Sequence, residues 1–159
     1  MAMGFFRQFV DLLKVLYHEL FPEQEVVPDA GRPYKVQVHG RKDTFGRMGE
    51  NEAVRFLKRK RHRILERNLR MPSCEIDIIA WDTKRLELVF VEVKTRRSDA
   101  FGAPADEVDT ERMDRMRRAA REYVRWKKVP NAPIRFDVLG ILWPAGQRPS
   151  FDYHPKAFR

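Results

Sequence analysis

The sequence is poor in the residues that mark secreted, membrane and zinc-binding proteins. Its single cysteine, Cys74, excludes an internal disulfide and any zinc site built from several cysteines. The four histidines, His18, His39, His62 and His154, lack the spacing of metal ligands. No run approaches the roughly 18 apolar residues of a membrane span, and the first 25 residues lack the organisation of a signal peptide. We therefore predict a cytoplasmic protein in a reducing compartment, without stable membrane insertion.

What the sequence has in excess is positive charge. Its 159 residues include 32 Lys and Arg against 23 Asp and Glu, which gives a net charge of +9. Such a charge favours polyanions, either nucleic acid or an acidic membrane surface. Two basic runs, 55–70 and 112–125, supply most candidate DNA contacts, although each run alone is better explained as a solvated helix face. The candidates are Arg55, Lys58, Arg59, Arg61, Arg63, Arg67, Arg70, Arg96, Arg97, Arg112, Arg115 and Arg118.

The chain divides into three predicted segments. Residues 1–45 hold an amphipathic helix over 4–21 and a linker, residues 46–143 form the domain proper, and residues 144–159 form an irregular tail. Within the domain the predicted order is helix, three strands, helix and strand, at 48–61, 63–67, 75–81, 86–95, 105–128 and 134–143. This order indicates an α/β fold with helices around a mixed sheet.

The N-terminal helix has an apolar stripe that is too large to stay exposed on a lone soluble domain. There are three alternatives for the surface that covers this stripe. It packs on its own domain, on a second copy in a homodimer, or on a membrane surface. Packing on its own domain is the simplest of the three, and self-association comes next.

Charged residues interrupt two strands that are otherwise rich in Val and Ile. Asp77 lies in the first strand of the hairpin, and Glu92 and Lys94 share one face of the second. If the turn centres between residues 84 and 85, Asp77 lies directly across from Glu92, whereas a shift of two residues makes them diagonal neighbours. Opposed carboxylates destabilise a sheet unless a cation such as Mg²⁺ or Mn²⁺ lies between them. A solvated ladder of ion pairs explains the same residues, so both interpretations stay open.

The helix before the hairpin adds another carboxylate. Glu50, Ala53, Val54 and Leu57 recur at i, i+3, i+4 and i+7, so Glu50 shares the core-facing stripe. A carboxylate there needs a partner, either a metal or Lys94. A carboxylate that is favoured at the helix start by the helix dipole is the alternative.

These residues resemble a known nuclease pattern. Asp77, followed after fourteen residues by Glu92-Val93-Lys94, is similar to the D…E-x-K signature of the PD-(D/E)XK nuclease superfamily. The blocks GRMGENEA, ILERNLR, EIDIIA, VFVEVKTR and RFDV resemble, in this order, the YraN-like family of bacterial proteins with an inferred endonuclease activity. That family is similar to archaeal Holliday junction resolvases. It usually has glycine where this chain has Cys74, and lysine near the position of Arg112.

The resemblance implies a restriction-endonuclease-like core in the order α-β-β-β-α-β, with the N-terminal helix as an addition. It implies a metal-dependent endonuclease acting on DNA, including branched or junction DNA, with no small-molecule cofactor. Asp77, Glu92 and the backbone carbonyl of Val93 would hold Mg²⁺ or Mn²⁺. Lys94 would be the catalytic lysine, and Glu50 would assist as a catalytic carboxylate and further metal ligand. The alternative is a module or subunit with a nuclease-like fold that binds nucleic acid without cutting it.

Overall fold

The computed structural model describes residues 44–98, 110–128 and 133–158. The predicted N-terminal helix lies outside these residues, as does the predicted start of the second domain helix. The described elements are α1 (Thr44–Arg59), β1 (His62–Arg70), β2 (Glu75–Asp82), β3 (Glu87–Arg96), α2 (Thr110–Lys127), β4 (Ile134–Leu142) and β5 (Ser150–Phe158). No helix in these three ranges is long and apolar enough to cross a membrane.

The strands form one mixed sheet in the order β1-β2-β3-β4-β5. β3 and β4 are parallel, and all other neighbours are antiparallel. Parallel neighbours need a crossover connection, and α2 lies in the connection from β3 to β4. α1 packs on the opposite face of the sheet, against β1, β3 and β4. The predicted mixed sheet between helices is therefore confirmed.

Alternation along the central strands divides the core into two layers. In β3, Phe90 packs in the layer under α2, whereas Val89 and Val91 pack in the layer under α1. The helices contribute small and apolar side chains to these layers, namely Met116, Ala119, Ala120 and Tyr123 from α2 and Ala53 and Leu57 from α1. Because both faces are covered, a charge in the middle of β2 or β3 lies in a low-dielectric interior and needs a partner.

The tail that was predicted to be irregular contains a strand. β5 pairs antiparallel with β4, although it is mostly exposed and contains Pro155, which strand patterns disfavour. β1 is also longer than predicted and runs to Arg70. Both outer strands are bulged, β1 between Ile64 and Glu66 and β5 opposite the step from Phe136 to Val138. Among the described residues the sheet therefore has five strands, where the sequence predicted four.

Candidate active site

The hairpin of β2 and β3 brings the predicted carboxylates together at one end of the sheet. Its paired residues define a register that centres the turn between residues 84 and 85, which is the first of the two predicted registers. Pairing runs as far as Ile78 and Val91. The next residues along each strand are Asp77 and Glu92, which lie past the end of the hydrogen-bonded ladder. The two carboxylates therefore stand where the strands begin to separate.

A cleft of about 350 Å³ opens at this end of the sheet. It is lined by residues of α1, β2, β3 and α2, namely Gly46, Glu50, Glu75, Asp77, Glu92, Val93, Lys94, Thr95 and Arg112. All four side chains that the resemblance assigned to catalysis border the cleft, and so does Val93. Of the predicted DNA contacts that the structure describes, Arg112 alone lines it.

A close approach of α1 to β3 carries Glu50 to the cleft. A Cβ on Gly49 would lie 1.9 Å from Oγ1 of Thr95, so this approach requires glycine. A Cβ on Gly46, about one turn earlier, would have nothing within 4 Å. Glu50 follows Gly49 directly and is 5% exposed. Because α1 begins at Thr44 and has no acidic residue in its first turn, the helix-start explanation of Glu50 is wrong.

Asp77 is fixed by the neighbouring strand. Its Oδ2 accepts a hydrogen bond of 2.8 Å from the backbone N–H of Val93. The bond joins β2 to β3 just beyond the ladder and holds the carboxylate beside the backbone of Val93, the residue whose carbonyl is the expected ligand. Asp77 is 7% exposed, so its position is set by the fold and not by solvent.

Both oxygens of Glu92 are paired with cations. Oε1 lies 3.1 Å from Nζ of Lys94, and Oε2 accepts hydrogen bonds of 3.0 and 2.5 Å from Nε and Nη2 of Arg112. Nη2 of Arg112 also donates to the backbone carbonyl of Glu75 at 2.9 Å. Burial by itself lowers the pKa of Arg112, but the hydrogen bonds and charge of Glu92 outweigh it and hold the pKa above its ordinary value. Arg112 is thus a permanently charged part of the cleft wall.

The cleft has donors for a hard divalent cation, but not in a preassembled set. Among residues 44–98, 110–128 and 133–158 no group of three His, Cys, Asp or Glu side chains is arranged to hold a metal ion. The oxygens of Glu50, Asp77 and Glu92, with the Val93 carbonyl, are nevertheless the ligand type that Mg²⁺ and Mn²⁺ prefer. Since Glu92 is held by two cations, a metal at this carboxylate would compete with them for its lone pairs.

The remaining predicted DNA contacts are spread around the domain. Eight of them are exposed: Arg55, Lys58, Arg59, Arg61, Arg67, Arg70, Arg97 and Arg118. Three contact neighbouring polar side chains, with Arg55 on Glu52, Arg67 on Asn51 and the half-buried Arg115 on Glu111. Arg63 and Arg96 are half-buried. Surface ion pairs are worth at most about 1 kcal/mol, so these cations stay able to contact a polyanion.

A second group of buried charges, here called the Arg135 cluster, lies at the turn end of the hairpin under α1. Its members come from all five strands and are His62, Asp82, Glu87, Arg135, Asp137 and Tyr153. Arg135 donates to Asp137 at 2.9 Å, to Asp82 at 2.9 Å and also to Glu87. Tyr153 donates to the same Asp137 carboxylate. This cluster was not predicted from the sequence, although Arg135 and Asp137 interrupt an apolar strand just as Asp77 does.

The Arg135 cluster shifts the pKa values of its members. Burial lowers the pKa of His62, and its Nδ1 has no hydrogen-bond partner among the described residues. The pKa of Tyr153 is raised, first by burial and then by the bond to Asp137. Burial would raise the pKa of Asp82, but backbone N–H groups of the turn and the Arg135 guanidinium more than offset this and lower it. These shifts favour a neutral histidine and phenol around a charged Arg–Asp centre.

The fold and the cleft define a class: an α/β domain with three carboxylates and a lysine around one end of its mixed sheet. Within that class, the chain belongs to the family described as "Uncharacterised protein family UPF0102", the YraN family, whose model matches residues 49–141. This range contains every cleft residue except Gly46. The resemblance of the sequence to the YraN-like family is therefore confirmed.

Relatives of this family match most of the chain. The UPF0102 protein of Dictyoglomus turgidum is 42% identical over 115 residues, which cover 72% of this chain and 96% of the relative. That of Geotalea daltonii is 44% identical over 115 residues, covering 72% and 89%. That of Solibacter usitatus is 42% identical over 108 residues, covering 67% and 80%. The names of these relatives state no activity, so the residues of the cleft are the basis for inferring a function.

Proposed function

We propose that the chain is a metal-dependent endonuclease that hydrolyses phosphodiester bonds in DNA, branched or junction DNA included. One observation carries this proposal: Glu50, Asp77, Glu92 and Lys94, which come from three different elements, border a single cleft. An ion-pair ladder accounts for Glu92 and Lys94, which do contact each other. It gives no reason for Asp77 and Glu50 to be buried at the same cleft.

In the proposed reaction, water adds to phosphorus, one phosphorus–oxygen ester bond breaks, and a proton ends on the leaving oxygen. A divalent metal held by Asp77, Glu92 and the Val93 carbonyl would lower the pKa of a bound water and neutralise charge on the phosphate. Asp77 is suited to this role because the Val93 N–H fixes its carboxylate.

The other cleft side chains act on the water and the phosphate. The Lys94 side chain is 29% exposed, which is enough to donate to a phosphate oxygen or to the attacking water. Glu50 lies across the cleft on α1 and would position the water or accept its proton. The exposed arginines and lysines around the domain would contact the DNA backbone.

The test is incubation of the full chain with linear duplex, single-stranded and four-way-junction DNA, each with Mn²⁺, Mg²⁺ or EDTA. We expect cleavage of at least one substrate with Mn²⁺ and none with EDTA. Glu92→Gln should abolish it. Asp152→Asn is the matched control, because Asp152 lies on exposed β5, pairs with His154 and does not line the cleft. Absence of cleavage on every substrate would contradict the proposal, as would cleavage that Glu92→Gln leaves intact.

A binding module without catalysis is the second candidate, and one observation favours it. Both oxygens of Glu92 are already neutralised by protein cations, so the metal-free cleft is stable as it stands. Such a module would bind DNA with an affinity that falls steeply with salt and does not change with Mn²⁺. Tight binding with no cleavage in either metal would favour this candidate over the endonuclease.

A further inference from the structure

We infer that Arg112 is a positioning residue that competes with the metal for Glu92. In the metal-free protein its guanidinium holds the carboxylate, and metal binding has to displace it. This inference rests on the proposed metal-dependent function and adds that a side chain of the protein, Arg112, competes with the metal ion.

The geometry of Arg112 is that of a counter-ion built into the cleft. Two of its nitrogens, Nε and Nη2, donate to the same Oε2 of Glu92. The side chains involved are 20% and 5% exposed, so water replaces neither partner easily. Lys94 pairs with the other oxygen, Oε1, so the buried Oε2 depends for its own partner on Arg112 or on a metal.

The competition follows from the number of lone pairs. Lys94 makes one contact with Oε1, whereas two nitrogens of Arg112 donate to Oε2 and use both lone pairs of that oxygen. Lys94 presents a flexible ammonium, whereas the guanidinium of Arg112 makes a planar fork of two bonds, which is the harder partner to replace. Arg112 is therefore the main barrier between Glu92 and an incoming cation.

A second contact determines where Arg112 goes after its release. Nη2 also donates to the backbone carbonyl of Glu75, which metal binding at Glu92 does not consume. This contact keeps the guanidinium on the cleft wall after Glu92 is lost. A guanidinium there borders the space in which a phosphate would lie. Arg112, which pairs with Glu92 before metal binding, is then placed to contact the substrate.

The experiment is isothermal titration of Mn²⁺, without DNA, into wild type, Arg112→Gln, Arg112→Lys and Arg115→Gln. Arg112→Gln should bind Mn²⁺ at least about tenfold more tightly, because one buried cationic competitor is removed. Arg112→Lys should fall between it and wild type, since an ammonium makes a weaker single contact. Arg115 lies on the same helix and pairs with Glu111 instead, so Arg115→Gln controls for the general loss of one positive charge and should change affinity less than about threefold.

A metal-free arm tests the pair itself. Urea denaturation should show that Arg112→Gln lowers the unfolding midpoint in wild type but much less in a Glu92→Gln background. Equal effects in both backgrounds would overturn the inference, as would unchanged Mn²⁺ affinity in Arg112→Gln or an equal gain in Arg115→Gln. None of these results would contradict the proposed metal-dependent cleavage. If no variant binds Mn²⁺ at all, the proposed metal site fails and the inference fails with it.

Discussion

Two groups of buried charges lie at opposite ends of one sheet, and they differ in how their charges are satisfied. In the Arg135 cluster a single guanidinium contacts carboxylates from three strands, and Tyr153 adds a further donor to Asp137. At the cleft, four acidic residues border an open volume, and the two cations there, Lys94 and Arg112, both pair with Glu92.

A charge inside a strand is therefore not by itself a sign of function. Asp137 is 0% exposed and Asp77 is 7% exposed, so burial does not separate them. What separates them is the surrounding space. A closed network specifies the packing of the strands, and removing one partner leaves an uncompensated buried charge. A carboxylate beside a cleft is open to an exchangeable partner.

The largest expected effect comes from exchanging a carboxylate for an amide in each group. Asp77→Asn should lower Mn²⁺-dependent cleavage by at least about 10³-fold, because a metal ligand loses its charge. Its free energy of unfolding should change by no more than about 1 kcal/mol, since an amide oxygen still accepts from Val93. Asp137→Asn should instead cost about 3–5 kcal/mol of stability, because Arg135 loses its principal partner.

Cleavage rates and urea denaturation of both variants measure this contrast. If Asp77→Asn unfolds as readily as Asp137→Asn, the cleft is a structural network too, and the distinction between the two groups is lost.

A smaller effect is expected where α1 meets β3 beside the cleft. Gly49→Ala should cost about 1–3 kcal/mol, since its Cβ meets Thr95 at 1.9 Å and the helix has to move. It should also weaken Mn²⁺ binding, because Glu50 moves with the helix. Gly46→Ala introduces the same methyl group into open space and should be neutral or slightly stabilising. Thermal melts and Mn²⁺ titration of both variants check this, and equal behaviour of the two would exclude a special role of the Gly49 contact.

The smallest expected effect is a pH dependence that belongs to the Arg135 cluster. His62 faces Asp82, Arg135 and Asp137, and burial lowers its pKa below the unfolded value of 6.5. Below pH 6.5 the unfolded chain therefore binds a proton that the folded chain does not, so stability falls as the pH drops. The slope for one proton is at most about 1.4 kcal/mol per pH unit.

Melting temperatures of His62→Gln and His154→Gln between about pH 7.5 and 5.5 isolate this contribution. His62→Gln should flatten the profile relative to wild type. His154 is half exposed on β5 and lies outside the Arg135 cluster, so its replacement controls for the loss of one histidine. A flat wild-type profile would show that His62 titrates normally in the folded protein.

The hairpin and its carboxylates could be predicted from the sequence because local rules determine them. Period-two alternation places Asp77 and Glu92 on strand faces, and the short polar turn left two registers, of which the structure has the first. The same rule extends to Arg135 and Asp137, whose charges interrupt IRFDVLGIL. The Arg135 cluster therefore had a detectable signal in the sequence, although it was not among the predictions.

Other features had no local signal. Arg112 is 20 residues from Glu92 along the chain, and only the packing of α2 on the sheet brings the two together. The predicted role of Arg112 as a DNA contact did not include this pairing. β5 alternates between polar and apolar residues only over 150–154 and contains Pro155, and it forms because β4 offers an edge to pair with. Gly49 is visible in the sequence, but its contact with Thr95 depends on the angle of α1.

The bulges of the outer strands interrupt the backbone pattern along both edges of the sheet. In the described residues β1 and β5 are its two edges, and the extra residues of each bulge lie on the edge strand itself. Asn68 and Lys156 turn into positive φ, and Pro155 has no N–H to offer. Neither edge presents an unbroken row of backbone donors and acceptors, which is what a foreign strand needs for edge-to-edge aggregation. The irregular edge strands β1 and β5 therefore disfavour the pairing of a further strand and the growth of a larger β-assembly.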